Sequence, residues 1–378
     1  MRAMRVCVIG GGLAGLAVAK RMAARGDEVT LLEASARLGG QLSTERVDGF
    51  VVEHGAEGFV ARSQALPRLA HELGLSDTLQ PQLTLRSYGY RDGALHALAP
   101  GEAGAMLGLQ VSSDDLGQGI QTFRAGMGAL PEALVRALAA NVTLRTGEAV
   151  VAIERDARAL RVTTAHAVYD ADAVVVATSA RVAATLLTPV AADAAAALSA
   201  APVLDSVTVS LAFDAADVHH PLDATGFVVA PEAQRHGMRA CTFTTSKFAH
   251  RAPEGRVLLR AFFRPAADDI TQLDDAAWAM RARGELQRIL GIEAAPLRTW
   301  VSRWAAALPV HTPAHRETIA TLEAALQGSA IILAGAAFHG AGIDAAARSA
   351  ERAVEVLAGL AANSADGQPS AFQGQGER

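Results

Sequence analysis

Two apolar stretches near the N-terminus, "RVCVIG" and "EVTLLE", have no polar alternation and read as parallel strands buried on both faces. Between them "LAGLAVAKRMAARG" has helical spacing and stops at Gly26, a natural C-cap. Together they predict a β-α-β unit of about thirty residues. "ALPRLAHELGL" predicts a short amphipathic helix, and "TLRSYGYRDGALHAL" a hairpin turning at Asp92-Gly93. From Pro100 to Gln121 the pattern is loose and glycine-rich, as in a connection. "GMGALPEALVRALAA" is a helix; "VTLRT", "AVVAIERD", "LRVTT" and "AVVVAT" are strands. Period-two alternation in "SVTVSLAFD", "GFVVA", "RACTFTT" and "RVLLRAFFR" predicts a half-exposed, mostly antiparallel sheet beside the amphipathic helix "LDDAAWAMRARGELQRIL". Near the end, "AIILA", "GAAFHGAGI" and "DAAARSAERAVEVLAGLAA" form a second strand, glycine turn and helix. The polar tail "NSADGQPSAFQGQGER" predicts disorder.

Composition narrows the classes. With 378 residues and 51% hydrophobic residues, the chain is long enough for two domains or one large one and can bury a sizeable core. A net charge of -5 is small for this length and argues against a nucleic-acid binder. Only Lys20 and Lys247 are lysines, which reads as base composition. Cys7 and Cys241 lie in apolar runs and read as buried free thiols, consistent with a reducing cytoplasm. No signal pattern opens the chain and no apolar run is long enough to span a bilayer, so a cytoplasmic protein is expected.

Gly10, Gly12 and Gly15 form G-x-G-x-x-G between the first strand and helix. Each glycine has a separate job: a tight turn, close approach of backbone to a pyrophosphate, and close helix–strand packing. The helix N-terminus, through Leu13 and Ala14, offers free N–H groups to phosphates. Glu33 lies 18 residues beyond Gly15, where an acid binds ribose hydroxyls. This motif serves NAD and FAD alike.

The stretch "EASARLGGQLST" resembles the flavin-binding extension of the amine oxidase superfamily, E-x-x-x-R-x-G-G-R. Arg37, Gly39 and Gly40 match it, while Gln41 stands in for the basic residue. "TERVDGFVVEHGAEGFVARSQALPRLAHELGL", "HPLDATGFVVAPEA", "ACTFTTSKFAHRAPEGRVLLRAFF", "RWAAALPVHTPAHRETIATLEAAL" and "LAGAAFHGAGIDAAARSAERAV" resemble, in order, segments of protoporphyrinogen and coproporphyrinogen oxidases. One departure stands out: the region between "ALHALAPGEAGAMLGL" and "QTFRAGMGAL" is too short for the largely helical domain of those enzymes.

The resemblance implies an α/β fold: a Rossmann-like FAD-binding domain of the glutathione reductase/amine oxidase type plus a smaller mixed-sheet substrate domain. The expected division places the FAD domain at 1–100, 122–190 and 305–362. A shortened connection covers 101–121, the substrate-side sheet and helix 191–304, and the tail 363–378. FAD is the implied cofactor, held by Gly10, Gly12, Leu13, Ala14, Gly15, Glu33, Ala34, Arg37, Gly40 and Gln41. Gly55, Ala56, Glu57 and Gly58 would line the flavin or its pyrophosphate, and Val150 would hold the adenine by its backbone. Ala336, Ala341, Gly342 and Ile343 would touch the flavin, with the helix dipole at Gly342 favouring the reduced, anionic ring. Arg62 is the candidate for a substrate carboxylate, with a plain surface arginine as the alternative. Trp304 and Phe338 could line the substrate face or be core, and His339 could face solvent or substrate. The implied reaction is hydride transfer from a porphyrinogen-type substrate in tetrapyrrole metabolism; the alternative is an amine oxidase-like dehydrogenase of a smaller substrate. No metal-ligand spacing is found; His219-His220 are adjacent and point apart. No residue stands out as a general base.

Overall fold

The computed structural model describes residues 3–108, 119–155, 159–266 and 268–365. The chain divides into two compact units. The first takes in Met1–Gly40, Leu134–Ala201 and His311–Arg378; the second takes in Gln41–Ala133 and Pro202–Val310 and is the larger by residues.

The first unit is built on a five-stranded parallel sheet. Its order is Ile331–Leu333, Ala173–Val176, Arg5–Ile9, Glu28–Glu33, Val142–Thr146. The central strand is apolar from Val6 onward because both of its faces are covered there, and Val6 to Ile9 and all of Ala173–Val176 are buried. The first helix, Leu13–Ala24, is buried all round over its first two turns, which is why its apolar residues form a run and not a stripe. It ends in a Schellman motif: Gly26 (φ 92°) donates to Ala23 O and Asp27 to Met22 O. The closing helix, Ile343–Ala365, packs against the first helix, tied by Arg21 to Glu351 at 3.1 Å. It takes in the first residues of the polar tail; 366–378 lie outside the described residues. A three-stranded antiparallel sheet, Val150–Arg155, Leu160–Thr164 and Val168–Ala171, completes this unit with helices Ala180–Leu187, Ala192–Ala200 and Pro313–Ala325.

The second unit holds a seven-stranded sheet. Its order is Arg298–Pro309, Val203–Asp214, Arg256–Phe263, Met238–Phe243, Gly226–Val229, Tyr88–Arg91, Ala94–Ala97, antiparallel except where Gly226–Val229 meets Tyr88–Arg91. The expected hairpin is present, with Asp92 (φ 52°) and Gly93 (φ 79°) in the positive-φ pair of a type I′ turn. Asp48 (φ 49°) and Gly49 (φ 80°) make the same turn in an additional hairpin, Thr44–Val47 with Phe50–Glu53.

The sheet is not half-exposed, as the alternation suggested. Val207, Val209, Leu211 and Phe213 pack with Leu259, Ala261 and Phe263 against Trp278, Ala282 and Leu286 of helix Asp275–Leu290. The alternate residues, Thr208, Ser210, Arg260 and Thr242, are polar yet also buried. At one end of that second face, Ala212 and Leu258 meet Phe50, Val52 and Trp300. Period-two alternation here separates an apolar buried face from a polar buried one.

The connection at 101–121 begins with a short helix, Glu102–Met106, and ends in strand Gln121–Phe123; residues 109–118 of it lie outside those described. No helix among the described residues is long and apolar enough to cross a membrane. Cys7 and Cys241 are buried free thiols, and burial pushes Cys7 up to about 12.

Candidate active site

Both glycine turns leave the carboxyl ends of strands in the same parallel sheet, with only Ala173–Val176 between those strands. That end is where open α/β sheets bind ligands.

The first turn separates its three glycines by cause. Gly10 needs its positive φ of 108°, and a Cβ there would lie 2.5 Å from Ala177 O. A Cβ on Gly15 would sit 1.9 Å from Gly10 O, so this glycine exists for helix–strand contact. Gly12 is different. Its φ is −75°, and a Cβ would meet nothing nearer than Gly40 Cα at 3.9 Å. The fold alone does not require glycine at 12; what its bareness keeps open is the approach to the helix N-terminus. That terminus has no side-chain cap, and the first N–H groups of a helix lack intrahelical acceptors. The arrangement fits a pyrophosphate.

Glu33 ends the second strand and joins the turns. Its Oε2 accepts the Gly11 N–H at 2.7 Å, and its Oε1 accepts Ser35 N–H and Oγ–H, both at 2.8 Å. A carboxylate has about four lone-pair sites, so one on Oε2 is left for a ribose hydroxyl. Ala34 and Arg37 are exposed beside it. The Arg37 guanidinium donates to Leu38 O at 2.9 Å and Gly40 O at 2.5 Å, propping the second glycine pair. Gly39 in turn donates to Gly11 O at 2.8 Å and bridges Gly12. Leu13 and Ala14 are buried in the first helical turn, and Gly335 of the closing loop abuts Ala14. Val150 begins the three-stranded sheet, half-buried and paired with Thr164.

In the closing loop, Gly335, Gly340 and Gly342 all have positive φ (117°, 116°, 97°). Ala336 is partly exposed, Ala341 and Gly342 are exposed, and Ile343 is buried where the helix starts. Among the described residues nothing beyond its chain neighbours lies within 4 Å of a Cβ at Gly342, so this helix N-terminus is also open to approach. Phe338 is only 3% exposed and packs as core. His339 lies within its own unit, hydrogen-bonded to Ser349 Oγ at 2.6 Å and to Glu323 Oε1 at 2.9 Å. His315 holds the loop from the other side through Ala337 O at 3.0 Å. Burial and the neighbouring His315 push His311 below the usual histidine range.

The second unit carries its own constellation. Gln41 donates to Ala307 O at 2.7 Å, and Trp304 Nε1 to His54 O at 2.7 Å. Gly55 and Gly58 are forced by close packing: Cβ atoms there would lie 1.7 Å from Gln41 O and 2.6 Å from Gln121 O. Ala56 donates to Gln41 O at 3.2 Å. Glu57 points into the polar face of the sheet, where it pairs with Lys247, lies 3.8 Å from Arg260 and accepts from Thr242 at 3.2 Å. Burial works to raise the Glu57 carboxyl, but Lys247 and Arg260 outweigh it and hold it below the usual carboxylate range. Arg260 is 3% exposed; its Nη2 donates to Gly55 O at 2.5 Å, while Nε and Nη1 have no hydrogen-bond acceptor among the described residues. Next to it Arg251 bonds Thr122 at 2.5 Å and lies 3.5 Å from Glu53. Burial pushes Glu53 up against the pull of Arg251. Arg62, the expected carboxylate partner, is exposed and is not among these buried charges.

The sequence reading missed Lys247, Arg251, Arg260, Glu53 and Thr242. A signal existed: Lys247 is one of two lysines, and Arg260 interrupts the apolar run "VLLRAFF". Among the described residues no group of His, Cys, Asp and Glu could hold a metal ion.

The chain matches the family model of flavin containing amine oxidoreductases over residues 13–113 and 85–358. It is similar to coproporphyrinogen III oxidase of Bacillus subtilis (strain 168), 25% identical over 451 residues, covering 89% of this chain and 94% of the relative. That alignment is longer than this chain of 378 residues, so the relative carries stretches this chain lacks. The corresponding protein of Mycobacterium bovis is 29% identical over 440 residues, covering 92% and 96%. In fold the chain is similar to a putative protoporphyrinogen oxidase from Exiguobacterium sp. 255-15, with a TM-score of 0.81 at 24% identity over 94% of this chain and 99% of that one. It is also similar to cyclohexylamine oxidase from Brevibacterium oxydans IH-35A, with a TM-score of 0.73 at 14% identity over 96% and 100%. At these identities the structural likenesses establish the fold.

Proposed function

Because the chain belongs to the family of flavin containing amine oxidoreductases, we propose that its flavin is FAD and that it oxidises a porphyrinogen-type substrate. When bound, FAD would supply the oxidising chemistry, as a hydride acceptor. The chain's part is to hold and orient. The open N–H groups after Gly12 would take the pyrophosphate, Glu33 a ribose hydroxyl, and the second open helix N-terminus at Gly342 the ring end.

One observation carries the choice of substrate. Two adjoining buried groups, Lys247 and Arg260 with Glu57 on the polar side of the seven-stranded sheet and Arg251 with Glu53 of the hairpin Thr44–Glu53, hold three cations against two carboxyls. In a low-dielectric setting such a surplus attracts carboxylates and repels ammonium groups. A porphyrinogen carries acidic side chains; an amine substrate carries the wrong sign. The coproporphyrinogen III oxidases among the relatives support the same reading. A smaller substrate is the second reading, and the short connection at 101–121 is what favours it.

The test is anaerobic mixing of the FAD-loaded enzyme with coproporphyrinogen, protoporphyrinogen or a panel of amines, following bleaching of the flavin. Bleaching by a porphyrinogen is expected. Bleaching by amines alone overturns the substrate assignment, and a protein that cannot be loaded with FAD overturns the cofactor as well.

A further inference from the structure

The loop Gly335–Gly340 is pinned at one residue from two directions. The backbone N–H groups of Phe338 and His339 both return to Gly335 O, at 3.2 and 3.3 Å. The Gly335 N–H goes to Ser349 Oγ at 2.7 Å, and the same oxygen meets His339 Nδ1 at 2.6 Å. On the far side of the ring, Nε2 meets Glu323 Oε1 at 2.9 Å, and Arg352 binds Glu323 Oε2 at 3.0 Å. Ser349 is buried on the closing helix, and Glu323 stands on helix Pro313–Ala325. His339 therefore joins the loop to both helices.

The proton positions follow from chemistry. A carboxylate accepts only, so in the neutral ring Nε2 carries the proton and donates to Glu323. Nδ1 is then the acceptor, and the single Ser349 O–H donates to it. Ser349 keeps its lone pairs for the Gly335 N–H. Each member has one direction, running from Gly335 through Ser349 and His339 to Glu323. Ser349 is buried and bound on both sides, so this serine–histidine–glutamate chain is not a nucleophile.

We propose that His339 is a positioning residue of the flavin site, which fixes the turn Gly335–Gly340 and with it the open N-terminus of helix Ile343–Ala365. The proposal rests on the FAD reading above. His339 touches no reacting atom; it acts through Ser349 and the Gly335 amide. It replaces the expectation that this side chain faces solvent or substrate.

The test uses the full chain and compares wild type with His339→Ala and His339→Gln. Glutamine can accept through its oxygen and donate through its amide, as the neutral ring does. Two readouts are taken: FAD affinity with the visible flavin spectrum after reconstitution, and amide hydrogen exchange of the apoprotein over residues 335–340. His339→Ala is expected to weaken FAD binding about tenfold, since a charge-assisted hydrogen bond is lost, and to shift the flavin band. It should speed exchange at 335–340 while leaving the rest of the first unit protected. His339→Gln should restore most of both. Wild-type affinity and exchange in the alanine variant overturn the proposal. So does faster exchange throughout the unit, which would mark a general packing role, and so does failure of glutamine to rescue. If wild type itself binds no FAD, the FAD reading falls, and the exchange comparison still decides whether His339 fixes the turn.

Discussion

Gly12 and Gly15 look alike in the motif and differ in cause. Gly15→Ala forces a Cβ into Gly10 O and should unfold or badly destabilise the first unit. Gly12→Ala meets no protein atom closer than 3.9 Å, so the melting temperature of the apoprotein should stay close to wild type while FAD retention is lost. Thermal unfolding with a count of bound flavin per chain separates the two. The motif revealed that three glycines matter; only their neighbours distinguish the two jobs. Glu57 is the converse case. The sequence singled it out for its backbone, whereas its carboxylate holds two buried cations. Glu57→Gln leaves Lys247 and Arg260 uncompensated and should cost about 3–5 kcal/mol. Because its pairs hold the folded carboxyl below the ordinary value of about 4.3, that stabilisation is complete above this pH. It disappears as the pH falls through the depressed value. Denaturant titrations of both proteins across acidic pH should show the difference shrinking in that window.

At the scale of elements, the buried strands and the Asp92-Gly93 hairpin were legible because their signals are local: unbroken apolar runs, and a turn chemistry that only positive φ satisfies. The Asp48-Gly49 hairpin carried the same signal. Strand Arg298–Pro309 carried less, because its edge position leaves most of its residues only partly buried. The misjudged exposure of the seven-stranded sheet has a plain cause. Alternation reports that the two faces differ in polarity, and a buried polar face on which Glu57 meets Lys247 and Thr242 produces the same pattern as a wet one. Helix Asp275–Leu290 belongs to the apolar side, capped by Asp274, which accepts from Ala277 at 2.8 Å, and by Gly291 at φ 69°. Trp278 is fully buried against Phe263, so Trp278→Ala should cost about 3–5 kcal/mol in chemical denaturation of the second unit.

For the molecule as a whole, a cofactor bound by the folded chain alone must stabilise it by mass action. Free FAD at a hundred times its dissociation constant should add about 2.7 kcal/mol and raise the melting temperature, an effect absent in Gly12→Ala. The sequence by itself determined the two glycine turns, which depend on short-range backbone geometry that neighbouring residues dictate. It also pointed to the family, through motifs that keep their order along the chain. Tertiary structure alone decided that the two turns lie one strand apart on one sheet, that a Cβ has room at Gly12 but none at Gly15, and that His339 is engaged by Ser349 and Glu323. It alone gathered Glu57, Lys247 and Arg260 on one buried face from positions far apart in the chain. Burial and charge pairing between distant residues are properties of the packed chain, and no local pattern encodes which partner a buried charge will find.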